Sequence, residues 1–69
     1  MDIIDKMKLK AAMLAACMSI SELAAAAEVT PATISKLLKS DSPCRLPTLG
    51  KIARVLGVRA DSLILTEEV

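Results

Sequence analysis

Two helix-start signals only eleven residues apart, at Ile20 and at Pro31, constrain this chain more than any other feature. Ser19-Ile20-Ser21-Glu22 has the form of a capping box: the Ser19 hydroxyl accepts from the Glu22 amide, and the Glu22 carboxylate reaches back to the Ser19 amide. Thr30-Pro31 has the form of a second start. Thr30 is the N-cap, and Pro31 stands at the first helical position, where its missing N–H costs nothing. Glu28 and Val29 are left to make the break. That pitch is too short for two long helices and suits two short ones crossing through a tight turn.

The rest of the chain reads as helices around this pair. Ile4, Leu9, Met13 (or Leu14) and Cys17 give an apolar stripe that predicts a first helix over residues 4–17, supported by the alanines. The second helix spans 20–27, burying Leu23, Ala24 and Ala27. The third spans 31–39; Ile34, Leu37 and Leu38 face the core and Ala32, Thr33, Ser35, Lys36 and Lys39 face outward. Residues 40–46 form a loop around Pro43. Pro47 or Thr48 then opens a fourth helix over 48–56, with Leu49, Ile52, Ala53 and Leu56 inward and Gly57 as its left-handed stop. Asp61 caps a short last helix over 61–65. The expected architecture is all-α: a compact five-helix arrangement forming one domain over residues 1–69.

Composition sharpens this. Sixty-nine residues hide only about 60% of the unfolded surface on folding, so burial against a partner chain is expected. No residue is aromatic, so the core is aliphatic, and no platform exists for stacking unpaired bases. Net charge is +1, but Lys36, Lys39, Arg45, Lys51 and Arg54 face only Asp41 between positions 30 and 54, while Asp2, Asp5, Glu67 and Glu68 lie near the ends. The middle of the chain is locally basic, as a duplex-binding surface requires.

Other chemistries find little support. Cys17 and Cys44 match no metal or redox spacing and histidine is absent, so no metal site, catalytic residue or cofactor site is expected. Both thiols are expected reduced, with Cys17 buried. Lys6, Lys8 and Lys10 ahead of Leu14-Ala15-Ala16-Cys17 look like a lipoprotein leader, but the apolar stretch is short and Asp2 and Asp5 interrupt the basic segment. A core helix is the better reading. No other stretch nears the roughly 20 apolar residues of a membrane span.

Ser21-Glu22-Leu23-Ala24, the Val29-Thr30 turn, Thr33-Ile34-Ser35 and the run from Leu49 to Val58, taken in order and spacing, resemble the five-helix DNA-binding domain of phage repressor and Cro proteins, the Xre-like helix-turn-helix family. The resemblance runs from about Leu9 to Leu65, and the Pro43 to Pro47 stretch looks especially like lambdoid-phage members. It implies a lambda-repressor-like fold whose third helix enters the major groove of double-stranded DNA. By position, Pro31, Ala32, Thr33 and Lys36 match base-reading residues, Lys36 toward guanine O6 or N7. Ser21, Ser35, Lys39, Ser40, Arg45 and Thr48 match phosphate-contacting positions.

Three departures from the family pattern stand out. Ile20 replaces a glutamine that touches a phosphate. Glu28 replaces the turn glycine, so that either the turn keeps negative φ or a non-glycine residue is mildly strained. Met13 and Leu38 stand where many relatives bury an Arg–Glu pair, and are expected to touch; exchanging such a pair for packed apolar groups is often neutral or stabilising.

The resemblance implies a sequence-specific regulator of the Cro or repressor kind, acting as a homodimer on a pseudo-palindromic operator, with half-sites about one helical turn apart, in the cytoplasm of a bacterial or phage-infected cell. Arg59, Ala60, Leu63, Ile64 and Leu65 are the expected dimer contact; alternatively Leu63 and Ile64 close the monomer core. The competing reading is a protein-interaction module, an antirepressor or antitoxin, that kept the fold and binds another protein. No small-molecule cofactor is expected under either reading.

Overall fold

Asp5 ends an extended segment and begins a helix, and the whole N-terminal third is organised around that change. In the computed structural model, which describes residues 2–65, the carboxylate of Asp5 accepts from the amides of Met7 and Lys8. Asp41 accepts from the amide of Lys6 at 3.1 Å and pairs with its ammonium at 3.6 Å. All three otherwise orphaned N–H groups of the helix start are thereby satisfied by anions, which the helix dipole also favours there.

The elements in order are β1 (Asp2–Ile4), α1 (Lys6–Ala16), α2 (Ile20–Ala26), α3 (Pro31–Lys39), β2 (Ser42–Cys44), α4 (Leu46–Leu56) and one turn of 3-10 helix, Ala60–Ser62. Met1 and residues 66–69, with Glu67 and Glu68, lie outside the described residues.

The expected five-helix, all-α architecture therefore needs correction: four α-helices are joined by a two-stranded sheet and a 3-10 turn. β1 and β2 pair antiparallel, with Asp2 opposite Cys44, Ile3 opposite Pro43 and Ile4 opposite Ser42. On its other side β1 meets residues 63–65. Ile4 bridges Ile64, Asp5 donates to the Leu63 carbonyl and Leu65 donates to the Ile3 carbonyl. Ile4 thus leaves the predicted first helix to join Asp2 and Ile3 in a strand that supplies backbone partners to both flanks. For the same reason residues 63–65 do not continue the predicted last helix. Asp61 is not its cap but lies within the turn, paired with Arg59 at 3.1 Å. The fourth helix opens at Leu46, after an N-cap Arg45 that makes no side-chain cap bond.

Three helices end in the same way. At α1, α2 and α4 a left-handed residue, respectively Cys17, Glu28 and Gly57, donates back three residues, and the next amide donates back five: Met18 to Met13, Val29 to Ala24, Val58 to Ala53. This is the Schellman stop, and in each case the five-apart pair is apolar, as that motif favours. Only Gly57 follows the usual glycine preference. Cys17, expected buried at the end of the first helix, is instead exposed at its left-handed stop.

The core is Ile4, Leu9, Leu23, Ile34, Leu49, Ile52 and Leu63, each essentially excluded from water, with Met13, Ala24, Ala27, Leu37, Ala53 and Leu56 around them. Each such Leu or Ile contributes roughly 1.5–3 kcal/mol through burial. Alanines on α2 let it approach α3 closely, the pairing that holds the helix-turn-helix together. Met13, buried, and Leu38, half-buried, line one apolar hollow together with Ile20. No single described helix is long and apolar enough to cross a membrane.

Candidate nucleic-acid interface

The capping box at α2 forms as its sequence requires. The Glu22 amide donates to Ser19 Oγ at 3.2 Å, and the Ser19 amide donates to Glu22 Oε1 at 3.0 Å. These bonds from Ser19 hold the Glu22 carboxyl below the usual glutamate value. They also fix where α2 begins, and Ser21 is exposed in its first turn.

The turn to α3 is made by Ala27 at φ −87°, ψ 0° and Glu28 at φ 60°. Of the two possibilities open for Glu28, the strained one is realised. Its carboxylate lies 3.8 Å from the Lys51 ammonium on α4. Thr30 then caps α3, its Oγ1 accepting from the Thr33 amide at 3.3 Å and lying 2.8 Å from Thr33 Oγ1. Pro31 occupies the first turn. With Ile34 and Leu37 anchored in the core, α3 presents Pro31, Ala32, Lys36 and Lys39 to solvent and leaves Thr33 and Ser35 half-buried.

A hollow of about 210 Å³ lies between α3, β2 and the start of α4. It is lined by Thr33, Lys36 and Leu37 of α3, Ser42, Pro43 and Cys44 of β2, and Arg45 and Thr48 at the start of α4. Four residues singled out from sequence are thus gathered around one concavity. Lys39 and Ser40 lie at the end of α3, Ser40 Oγ 3.4 Å from Ser42 Oγ. Ser21, Pro31, Ala32, Ser35, Lys39 and Ser40 do not line the hollow.

The β2 residues were not anticipated. They read as loop because a Ser-Pro-Cys strand has no periodicity of its own, and only its partner β1 makes it one. Ser42 is buried, and its hydroxyl donates to the Ser40 carbonyl. Cys44 is buried too, and that burial pushes its thiol up from the ordinary cysteine value.

Charge on this side is uncompensated. Among the described residues Lys36, Lys39, Arg45 and Arg54 make no ion pair, whereas Lys6, Lys51 and Arg59 each have an acidic partner. Apart from Lys10 on α1, these cations without an ion pair lie on α3, its following loop and α4, where phosphate oxygens can be met without first breaking a pair. No group of three or more His, Cys, Asp or Glu able to hold a metal ion occurs among the described residues.

Of the expected dimer residues, Leu63 is 1% exposed and closes the monomer core, while Arg59 and Leu65 are exposed and Ala60 and Ile64 half-buried.

Residues 9–63 match the family model described as "Helix-turn-helix". No curated protein matches the chain. Among solved structures, one described as Streptomyces albus HEPD with the substrate 2-hydroxyethylphosphonate and Fe(II) bound superposes with a TM-score of 0.81 at 24% identity. It covers 91% of this chain, which spans only 15% of that one, and the likeness is of fold alone. A family match that takes in the capping box, the Glu28 turn, α3 and α4 together joins the elements described above into one unit. The chain belongs to the helix-turn-helix family of the Xre, Cro and lambda-repressor kind, a family of DNA-binding regulators rather than of enzymes.

Proposed function

We propose that this DNA-binding helix-turn-helix protein is a sequence-specific transcription regulator of the Cro or repressor kind. It works as a homodimer on a pseudo-palindromic operator in the bacterial cytoplasm. α3 enters the major groove, with Pro31, Ala32, Thr33 and Lys36 at base edges, the lysine donating to guanine and the small side chains meeting thymine methyls. Ser21, Ser35, Lys39, Ser40, Arg45 and Thr48 hold the flanking phosphates and set the register.

The observation that carries this reading is the hollow lined together by Thr33, Lys36, Arg45 and Thr48, whose two cations make no ion pair among the described residues. The uncapped start of α4 adds backbone N–H groups that favour a phosphate at the same place.

The dimer contact in this reading uses Arg59, Ala60, Ile64 and Leu65, with Leu63 supporting them from the core. Ile3, 39% exposed, extends the patch, because the Leu65 amide binds its carbonyl and Leu65 is itself 40% exposed.

Selection of duplexes from a random pool tests the whole reading. A two-fold-related site should be enriched, and log affinity for it should fall linearly and steeply with log salt. Absence of both enrichment and salt-dependent duplex binding would favour the protein-interaction module instead.

A further inference from the structure

Helix α1 has two apolar faces, and the fold uses one. Leu9 and Met13 enter the core. Met7, Ala11 and Leu14, spaced four and three apart, form a second stripe that faces solvent, with Met7 66% and Leu14 70% exposed. This stripe runs into an open hollow of about 350 Å³ between the end of α1, the start of α2 and the end of α3. Met13, Leu14, Met18, Ser19, Ile20 and Leu38 line it together with Lys10. A single exposed leucine needs no explanation, but a helical stripe joined to an apolar hollow marks an interaction surface. None of these residues lines the hollow beside Lys36 and Arg45, although Ile20 adjoins Ser21 at the start of α2.

Charge selects the occupant. α1 contains three lysines and no acidic residue. Lys6 is paired with Asp41 and Lys8 donates to the Ile64 carbonyl, whereas Lys10 is exposed and makes no ion pair among the described residues. A second copy docking through the same face would bring to Lys10 no α1 carboxylate and, from α2, only that of Glu22, already held by the Ser19 amide, and would set the two lysine sets against each other. A partner carrying its own carboxylates meets both requirements.

We propose that this face docks an amphipathic helix of a protein partner. Apolar residues of that helix at i, i+4 and i+7 seat along Met7, Leu14 and the hollow, and an Asp or Glu beside them pairs with Lys10. The partner then seats in a hollow separate from the one beside Lys36 and Arg45, meeting the proposed duplex surface only near Ser21. The inference stands independently of the operator reading.

A phage-displayed library of helical peptides, panned on the full chain and counter-selected on the Leu14→Asp variant, tests it. The expected consensus has that apolar spacing flanked by Asp or Glu. A synthetic copy of an enriched peptide should shift the amide resonances of Ala11, Leu14, Met18, Ile20 and Leu38. Lys10→Glu should weaken it at least tenfold, and changing the peptide's carboxylates to Lys should restore binding to Lys10→Glu. Duplex affinity and Tm should be unchanged in both protein variants. The proposal is overturned if enrichment on the wild type does not exceed that on Leu14→Asp or if the selected flanks are basic. It also fails if light scattering shows self-association that Leu14→Asp abolishes, since the occupant is then a second copy.

Discussion

The Glu28 carboxylate stands 3.8 Å from the Lys51 ammonium, tying α4 to the turn of the helix-turn-helix from a residue held at φ 60°. Two effects oppose each other here. A non-glycine residue in the left-handed region costs roughly 1–2 kcal/mol. The ion pair is largely solvated, its side chains 53% and 78% exposed, and such pairs contribute about 0–1 kcal/mol.

Glu28→Gly should therefore stabilise the fold, by about 0.5–1 kcal/mol after the extra freedom of glycine in the unfolded chain is set against the strain relieved. Glu28→Gln keeps the strain and removes only the pair, and should change stability by less than about 0.5 kcal/mol. Urea midpoints of the three proteins decide the matter. A lower midpoint for Glu28→Gly would mean that the pair outweighs the strain.

The capping box carries a pH dependence. Hydrogen bonds from Ser19 lower the Glu22 pKa from its ordinary 4.5, so the folded state holds the carboxylate more strongly than the unfolded chain does. A group depressed in this way stabilises the fold above its unfolded value and loses that contribution as pH falls through the folded one. Ser19→Ala should cost about 1 kcal/mol at neutral pH. Its deficit relative to the wild type should narrow only in part as pH is taken below 4.5, in thermal melts run at matched ionic strength, because the Ser19 amide bond that does most to lower the Glu22 pKa survives the substitution. A constant deficit across that range would assign the loss to the hydroxyl alone.

What was legible in this chain and what was not divides by the range of the interactions concerned. Ser19 with Glu22 and Thr30 with Thr33 make bonds within three residues, so their spacing alone announced α2 and α3. β1 and β2 are three residues each and lie far apart in the chain, so neither carries a readable alternation. The left-handed stop at Cys17 was obscured because it is not a glycine, whereas at Glu28 the missing turn glycine left two conformations open. At α1 the choice between Met13 and Leu14 stayed open for a physical reason: both faces of that helix are apolar, and only packing tells which is inside. Lys36, Arg45 and Thr48 were found through family-like positions, whereas Ser42, Pro43 and Cys44 join them only because β1 draws the loop into a strand.

The two cysteines should separate cleanly by reactivity. Cys17 is exposed, while Cys44 is buried and its thiol is pushed above the ordinary value of 9.0 by that burial. The thiolate is the reactive form, so Cys44 is shielded both sterically and electrostatically. Iodoacetamide at pH 8 should add one label to the native protein, at Cys17 by peptide mass spectrometry, and a second only in denaturing urea. Because the Cys44 pKa is raised on folding, its burial favours the native state below pH 9.0, and that contribution should fade as pH rises through the folded value. Rapid native labelling of Cys44 would mean that β2 opens readily from β1.

Lys36 and Lys39 lie three apart on α3, both exposed and both without an acidic partner among the described residues, yet their surroundings assign them different work. Lys36 lines the hollow with Thr33 and Arg45, at the centre of the proposed reading face; Lys39 lies outside it, at the helix end beside Ser40. A base contact and a phosphate contact differ in what their loss does. Lys36→Ala should cost about 1–3 kcal/mol on the selected site and relax preference at one base pair of each half-site. Lys39→Ala should weaken all duplexes alike and reduce the slope of log affinity against log salt by about 1. Competition binding of both variants to the selected site, its single-base variants and a scrambled duplex, repeated across salt concentrations, separates the two. A uniform loss for Lys36→Ala would move that lysine to the backbone and leave base reading to Pro31, Ala32 and Thr33.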